Sequence, residues 1–182
     1  MYKNRYSKRI EFWRRFYMMY VFLGVLCFIK GLTALYLTTF IHELGHACMV
    51  LLNKGTIAEF EMGSGKNIFR IKKFTLSWGF KGRCRYDVPK NTHPLKQIII
   101  SLGGVMFTLL TAIVLIAYTE VNIFENLLQF KLSFTEWMLI TCLTDITNLR
   151  PHKFIRRGKE SKTDGLQVVE YLSLLIKRNK EQ

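Results

Sequence analysis

Two long apolar runs constrain the fold of this chain more than any other feature of its sequence. Residues 31–52 and 98–118 consist mainly of aliphatic and aromatic side chains, and the second run has no charged residue. A helix needs about 20 consecutive, mostly apolar residues to cross the hydrocarbon core of a bilayer. Both runs are therefore predicted to span a membrane. With 49% hydrophobic residues, the chain is not a disordered polyelectrolyte, although its formal net charge is +14.

Two shorter apolar stretches, one on each side of these runs, extend the prediction to about four transmembrane helices. The predicted spans cover approximately residues 12–30, 31–52, 97–118 and 132–149. Lys30 and Gly31 are expected to form a tight turn between the first two spans, and Pro151 closes the fourth. The predicted fold class is a polytopic α-helical membrane protein, in which residues 1–182 form a single domain.

The distribution of basic residues predicts how this bundle lies in the membrane. Of the 27 Lys and Arg residues, all but Lys30 and Lys131 fall before the uncharged stretch that begins at Phe16, between the second and third spans, or after the fourth. Cytoplasmic loops carry such an excess of Lys and Arg. We therefore expect a multi-pass protein of the cell membrane with both termini in the cytoplasm. The division of the charge over three segments argues against nucleic acid as a partner.

Two segments outside the spans have patterns of their own. Residues 56–88 are β-rich, and Thr56–Met62 alternates between apolar and acidic residues. This segment is predicted to form a small sheet at the cytoplasmic membrane surface. At 166–178 the apolar residues line one helical face, which predicts an amphipathic helix that lies in the interface or packs on the bundle.

An H-E-x-x-H sequence inside the second apolar run points to metal chemistry. Residues four apart lie on one face of a helix, so His42 and His46 can bind one Zn²⁺ ion while Glu43 activates a water molecule. Ionisable residues within a membrane span are costly and by default mark a functional site. The alternative is a buried polar cluster that only holds helices together.

The third ligand of a catalytic zinc ion is left open by the sequence. Such a site normally takes three protein ligands and leaves one position for water. The aspartates that could contribute are Asp87 in the predicted sheet, Asp145 in the fourth span and Asp164 after it. His93 and His152 lie in polar loops and are expected to be ordinary surface histidines.

Several motifs in order along the chain resemble the site-2 protease family of intramembrane zinc metalloproteases. They are H-E-L-G-H in an early span, Gly103-Gly104 in the third, Asn148-Leu149-Arg150-Pro151 at the end of the fourth, and Asp164-Gly165. The resemblance covers residues 16–176. The short hairpin expected before the motif helix is similar to the bacterial branch that processes sporulation factors.

This resemblance implies a role for each motif residue. One zinc ion per chain would be held by His42, His46 and Asp164, and Glu43 would be the general base. Asn148 would lie near the substrate or the oxyanion. The family implies an intramembrane protease that cuts membrane-anchored proteins or peptides near the cytoplasmic face, to release a regulator or to clear membrane peptides. The sequence does not identify a regulatory partner.

The sequence departs from the family in the gap before the last motif. Asp164 lies thirteen positions after Pro151, so the basic stretch between them must loop out and return if Asp164 is to reach the zinc. Asp145 is the competing ligand. The alternative role of Asp164 is to cap the last helix together with Gln167. Where many relatives have Gly-Pro and then Asn, this chain has Gly104 followed by Val-Met-Phe.

Other functions remain open at this point. A catalytically silent membrane scaffold of the same fold is one alternative, and a zinc transporter or sensor is another. For the protease, an edge of the predicted sheet at 56–88 is expected to hold an unwound substrate by strand addition, a hypothesis motivated by the alternation at Thr56–Met62.

Overall fold

The computed structural model describes residues 2–89, 91–120, 123–129, 131–156 and 158–180. Its elements are, in chain order, α1 (Tyr2–Leu52), β1 (Thr56–Met62), β2 (Asn67–Ile71), β3 (Phe74–Ser77), β4 (Gly82–Asp87), α2 (Pro94–Tyr118), α3 (Ile123–Leu128), α4 (Phe134–Thr144), a 3-10 helix (Asp145–Leu149), β5 (Lys153–Arg156), β6 (Lys159–Lys162) and α5 (Asp164–Lys180). The first residue and the last two lie outside the described residues. The expectation that both termini are cytoplasmic concerns these residues in part.

The first two predicted spans form one continuous helix, α1, so the predicted turn at Lys30-Gly31 is wrong. A glycine inside a helix costs only about 1 kcal/mol relative to alanine, and no proline is present to break this one. Gly31 instead makes room for a neighbour, because a Cβ there would lie 3.3 Å from the ring of Trp137 in α4. The Lys30 amine is 3.5 Å from the carbonyl oxygen of Leu132. Both residues therefore serve packing within a helix.

Two of the described helices are long and apolar enough to cross a membrane, namely Trp13–Leu52 and Pro94–Tyr118. The predicted fourth span at 132–149 is not a single helix. It consists of α4, with 11 residues, and the tighter 3-10 helix at Asp145–Leu149. A capping box between Ser133 and Glu136 sets the start of α4. The four predicted spans thus reduce to two candidate spanning helices.

Helices α1, α2 and α4 pack around a small apolar core. The buried members of this core are Ala34, Ala112, Met138, Leu139 and Cys142. Beside it, the hydroxyl groups of Thr38 in α1 and Thr141 in α4 share a hydrogen bond of 2.7 Å. Where α1 crosses α2, a Cβ on Gly45 would clash with the carbonyl oxygen of Gly103 and lie 2.9 Å from the Cβ of Phe107. The crossing therefore depends on glycine.

The predicted β-rich segment is a four-stranded sheet with the strand order β2-β3-β1-β4. β1 is an interior strand, since it pairs with β3 in parallel and with β4 in antiparallel orientation. The sheet is attached to α1 by an aromatic contact between Phe40 and Phe60, whose ring centroids are 5.8 Å apart. Thr39 adds a hydrogen bond of 2.9 Å to the carbonyl oxygen of Phe80. These contacts bring the edge strand β4 beside the middle of the H-E-x-x-H sequence.

The basic stretch before Asp164 forms an antiparallel hairpin of β5 and β6. The chain returns to the end of the 3-10 helix, where Thr163 donates a hydrogen bond of 2.8 Å to the carbonyl oxygen of Arg150. Thr163 also accepts from the backbone N–H of Leu166 at 3.4 Å and so caps α5. The alternative in which Asp164 caps this helix is therefore wrong. The Asp164 carboxylate is not used as the cap. Helix α5 includes the predicted amphipathic helix at 166–178.

Candidate metal centre and active site

Two imidazoles on successive turns of α1 form the base of the site. The Nε2 atoms of His42 and His46 lie 3.1 Å apart. The two side chains are almost completely buried, with 6% and 7% of their residue surfaces exposed. Because the spacing of four residues places both on one helical face, the two Nε2 atoms point into the same small volume.

Asp164 at the start of α5 completes a triangle of ligand atoms. Its Oδ2 lies 3.0 Å from the Nε2 of His42 and 3.4 Å from the Nε2 of His46. A tetrahedral zinc ion with ligands at about 2.0–2.1 Å separates its ligand atoms by about 3.3 Å. The edges of the triangle match that separation. Among the described residues, these three form a group that could hold a metal ion.

Asp145, the competing candidate, faces the other ring nitrogen of His42. Its Oδ2 lies 2.7 Å from the Nδ1 of His42. The Nδ1 of His46 lies 2.8 Å from the backbone carbonyl oxygen of Ile100. With both Nδ1–H groups donated to these acceptors, the neutral imidazoles present lone pairs at both Nε2 atoms. Two nitrogen lone pairs and one carboxylate oxygen are a donor set that fits zinc.

Asn148 does not stand free in the cleft. Its side-chain Nδ2 donates a hydrogen bond of 2.7 Å to the Oδ1 of Asp145. The other oxygen of Asp145 accepts a hydrogen bond of 2.8 Å from the hydroxyl of Thr108 in α2. Sequence reasoning missed Thr108, and no pattern marks it, because it lies inside an apolar run among other hydroxyl residues.

The glycine pair of α2 gives the imidazoles their space. A Cβ on Gly104 would lie 2.5 Å from the Nε2 of His42, and a Cβ on Gly103 would lie 2.8 Å from the carbonyl oxygen of Gly45. Gly165 has the equivalent role beside Asp164, since a Cβ there would clash with the carbonyl oxygen of Leu149. The glycines that accompany the site therefore let backbone approach backbone or imidazole.

Glu43 lies on the side of α1 that faces the sheet. Its residue surface is 8% exposed, and its carboxylate accepts a hydrogen bond from the backbone N–H of Cys84 in β4. Gly82 packs directly on this carboxylate, because a Cβ at that position would lie 2.6 Å from Oε1. Burial and then the charge of Glu43 raise the pKa of the Cys84 thiol to about 12.

A cleft of about 970 Å³ opens in front of these groups. The edge strand β4, the β5–β6 hairpin and α5 all contribute residues to its lining. His42, Glu43 and Asp145 line it as well. The Lys81 amine, also in the lining, lies 5.1 Å from the ring centroid of Phe154 in β5. The cleft is large enough for an extended peptide segment.

Comparison with known proteins identifies a family. The model of Peptidase family M50 matches residues 30–177. This range contains the H-E-x-x-H sequence, Asn148 and the Asp164-Gly165 pair. No curated protein matches the chain.

Proposed function

Since the chain belongs to peptidase family M50, the site-2 protease family, we propose that it is an intramembrane zinc metalloprotease that cuts membrane-anchored proteins or peptides. Membership confirms the family resemblance found in the sequence, and it supports a metalloprotease of the membrane. The branch that processes sporulation factors stays a prediction. The observation that carries the proposal is the triangle of His42 Nε2, His46 Nε2 and Asp164 Oδ2 beside the carboxylate of Glu43.

In this proposal His42, His46 and Asp164 hold one zinc ion per chain, and Asp145 does not bind it. When bound, zinc would supply the Lewis acidity that polarises the scissile carbonyl and acidifies a water molecule. His46 keeps its orientation through the Ile100 carbonyl. Asp164 is brought to the other two ligands by the β5–β6 hairpin and by the close approach of Gly165 to Leu149.

Glu43 is the proposed general base. It takes a proton as the water oxygen bonds to the scissile carbonyl carbon, and it delivers that proton to the amide nitrogen as the carbon–nitrogen bond breaks. The hydrogen bond from the Cys84 N–H and the packing of Gly82 fix the carboxylate toward the cleft.

The proposed substrate is an extended segment beside β4. The sequence hypothesis assigned strand addition to an edge of the sheet at 56–88. The alternating strand Thr56–Met62 that motivated it is interior, since it is paired on both sides. The edge available in the cleft is β4 at Gly82–Asp87. The Cys84 N–H bonds to the Glu43 carboxylate, and because N–H directions alternate along a strand, the N–H groups of Gly82 and Tyr86 are expected to face the same side. Main-chain bonds to these groups would hold a locally unwound helix next to the base.

The proposed location is the cell membrane, with a multi-pass arrangement and a cytoplasmic C-terminus. A cytoplasmic N-terminus as well would need a turn within α1, which is one continuous helix. His42 lies ten residues before the end of α1 at Leu52, which is about 15 Å along the helix. With that end at the cytoplasmic side, the cut falls near the cytoplasmic face. A regulatory partner and the oligomeric state are outside this proposal.

The test is cleavage of a single-span substrate by the purified full chain in liposomes. Glu43→Gln should abolish cleavage while the zinc content stays at one ion per chain. Cleavage by Glu43→Gln at the wild-type rate, or a wild-type protein without zinc, would overturn the proposal. A catalytically silent scaffold, the alternative function, requires that biological activity survives in the Glu43→Gln protein.

A further inference from the structure

We propose that Asp145 is a positioning residue that holds the His42 imidazole in the orientation and tautomer required for zinc binding, and that Asn148 acts on the centre through Asp145. The inference rests on the proposed zinc protease and extends it. It gives Asp145 a role other than ligand, and it gives Asn148 a role other than contact with substrate.

The two ring nitrogens of His42 face two different carboxylates. Nε2 lies 3.0 Å from Asp164 Oδ2, and Nδ1 lies 2.7 Å from Asp145 Oδ2. An imidazole that binds a metal through one nitrogen donates the hydrogen of its other nitrogen to an acceptor. Asp145 is on the side of the ring that carries this N–H, so its geometry is that of the acceptor.

Asp145 is itself held by donors from two other parts of the fold. Thr108 of α2 donates to Oδ2 at 2.8 Å, and Asn148 of the 3-10 helix donates to Oδ1 at 2.7 Å. Both carboxylate oxygens are therefore engaged, and the direction of the His42 N–H is fixed against α2 as well as against the 3-10 helix. The second imidazole has a simpler arrangement, since His46 donates to a backbone carbonyl.

The position of Asp145 in the chain carries an electrostatic cost. Its side chain is only 10% exposed, and a carboxylate taken out of water is costly unless other groups compensate its charge. A carboxylate on the Nδ1–H polarises the imidazole and strengthens the lone pair at Nε2, which a neutral acceptor does less well.

The test is the zinc affinity of the full chain in detergent, measured by competition with a chromophoric chelator in the Glu43→Gln background, where no cleavage occurs. Asp145→Ala should weaken zinc binding about 10- to 100-fold, as expected for loss of a hydrogen-bonded partner of a ligand. Asp145→Asn retains an acceptor of the same shape without the charge. Its zinc affinity should therefore fall between that of the parent protein and that of Asp145→Ala. Asp164→Ala, which loses a ligand, should weaken binding more than either variant.

The coupling of Asn148 is tested in the same assay. Asn148→Ala should weaken zinc binding when it is added to the Glu43→Gln parent, and it should have no further effect when Asp145→Ala is also present. A matched control is Thr141→Val, which removes the bond of 2.7 Å to Thr38 between α1 and α4 and leaves His42 untouched. It should bind zinc as the parent protein does.

Loading with Co²⁺ gives a second readout that packing alone would not change. The visible absorption bands of the Co²⁺ protein should shift in Asp145→Asn and stay in place in Thr141→Val. Unchanged zinc affinity in Asp145→Ala, or an equal loss in Thr141→Val, would overturn the role of Asp145. An additive effect of Asn148→Ala would overturn the coupling. A parent protein without zinc would instead overturn the proposed function.

Discussion

Gly82 of β4 lies so close to Glu43 of α1 that a Cβ at this position would come within 2.6 Å of the carboxylate oxygen Oε1. The edge strand and the proposed base are thus in direct contact. Two residues further along β4, the Cys84 N–H bonds to the same carboxylate. The sheet therefore forms one wall of the active site and also sets the position of the base.

We expect Gly82→Ala to reduce cleavage at least about tenfold, because the added methyl group must displace either β4 or the Glu43 carboxylate. The zinc content should stay at the wild-type level, since the three atoms nearest to the added Cβ all belong to Glu43 and not to a proposed ligand. Gly24→Ala is the matched control, as a Cβ at Gly24 has nothing within 4 Å. Wild-type cleavage by Gly82→Ala in the liposome assay would show that the contact does not position the base.

The variant Gly104→Ala should impair zinc binding itself. Its Cβ would lie 2.5 Å from the Nε2 of His42, which is the atom proposed to bind the metal. If the His42 ring moves away, the separations of the three ligand atoms no longer match those around a tetrahedral zinc ion. We therefore expect the zinc affinity to fall at least about tenfold. Chelator competition measures this, again with Gly24→Ala as the reference. The two alanine variants would then separate the base from the metal centre.

Asp164→Ala and Asp145→Ala should differ in metal content after extensive dialysis. Removing Asp164 leaves two ligands, whereas removing Asp145 leaves three. We therefore expect zinc analysis to find little metal in Asp164→Ala and a substantial fraction in Asp145→Ala. The reverse order would make Asp145 the third ligand and contradict the distances around His42.

The centre was predictable where the chemistry depends on local spacing. The H-E-x-x-H pattern fixes the relative positions of His42, Glu43 and His46, because helix geometry relates residues four apart. The sheet at 56–88 was also predictable, since alternation and glycine turns act over a few residues. Asp164 came from the family resemblance, because its approach to α1 depends on a hairpin that no local pattern describes.

The errors arose where packing between distant segments decides the structure. Lys30-Gly31 has the composition of a turn, yet the ring of Trp137 and the carbonyl of Leu132 make both residues useful inside a helix. The ring nitrogen that Asp145 faces depends on where α4 ends relative to α1, over a separation of 103 positions. Periodicity within one segment cannot supply that information.

Strand addition to β4 is tested by a pair of variants at Tyr86. Its N–H is on the same side of the strand as that of Cys84, so it faces the cleft. Tyr86→Ala and Tyr86→Pro both remove the phenol ring, but only the proline also removes the N–H donor. We expect the proline variant to cleave at least about tenfold less efficiently than the alanine variant, mainly through a higher KM. Equal kcat/KM values for the pair would contradict strand addition.

The Cys84 thiol reports on the charge of Glu43. Burial first, and then the nearby Glu43 carboxylate, raise the pKa of this thiol from 9.0 to about 12. Because the thiolate is the reactive form, roughly one molecule in 10,000 is reactive at pH 8, and alkylation should rise tenfold per pH unit up to the pKa.

Removing the negative charge should lower that pKa. Glu43→Gln is therefore expected to accelerate iodoacetamide labelling of Cys84 at pH 8 by a factor of a few. Mass spectrometry of the peptide that contains Cys84 measures the labelling rate. Burial is unchanged by this near-isosteric substitution, so the acceleration isolates the electrostatic part of the shift. Gly24→Ala should label at the wild-type rate. An unchanged labelling rate in Glu43→Gln would mean that the carboxylate carries no negative charge beside β4, and the proposed base would then be protonated at rest.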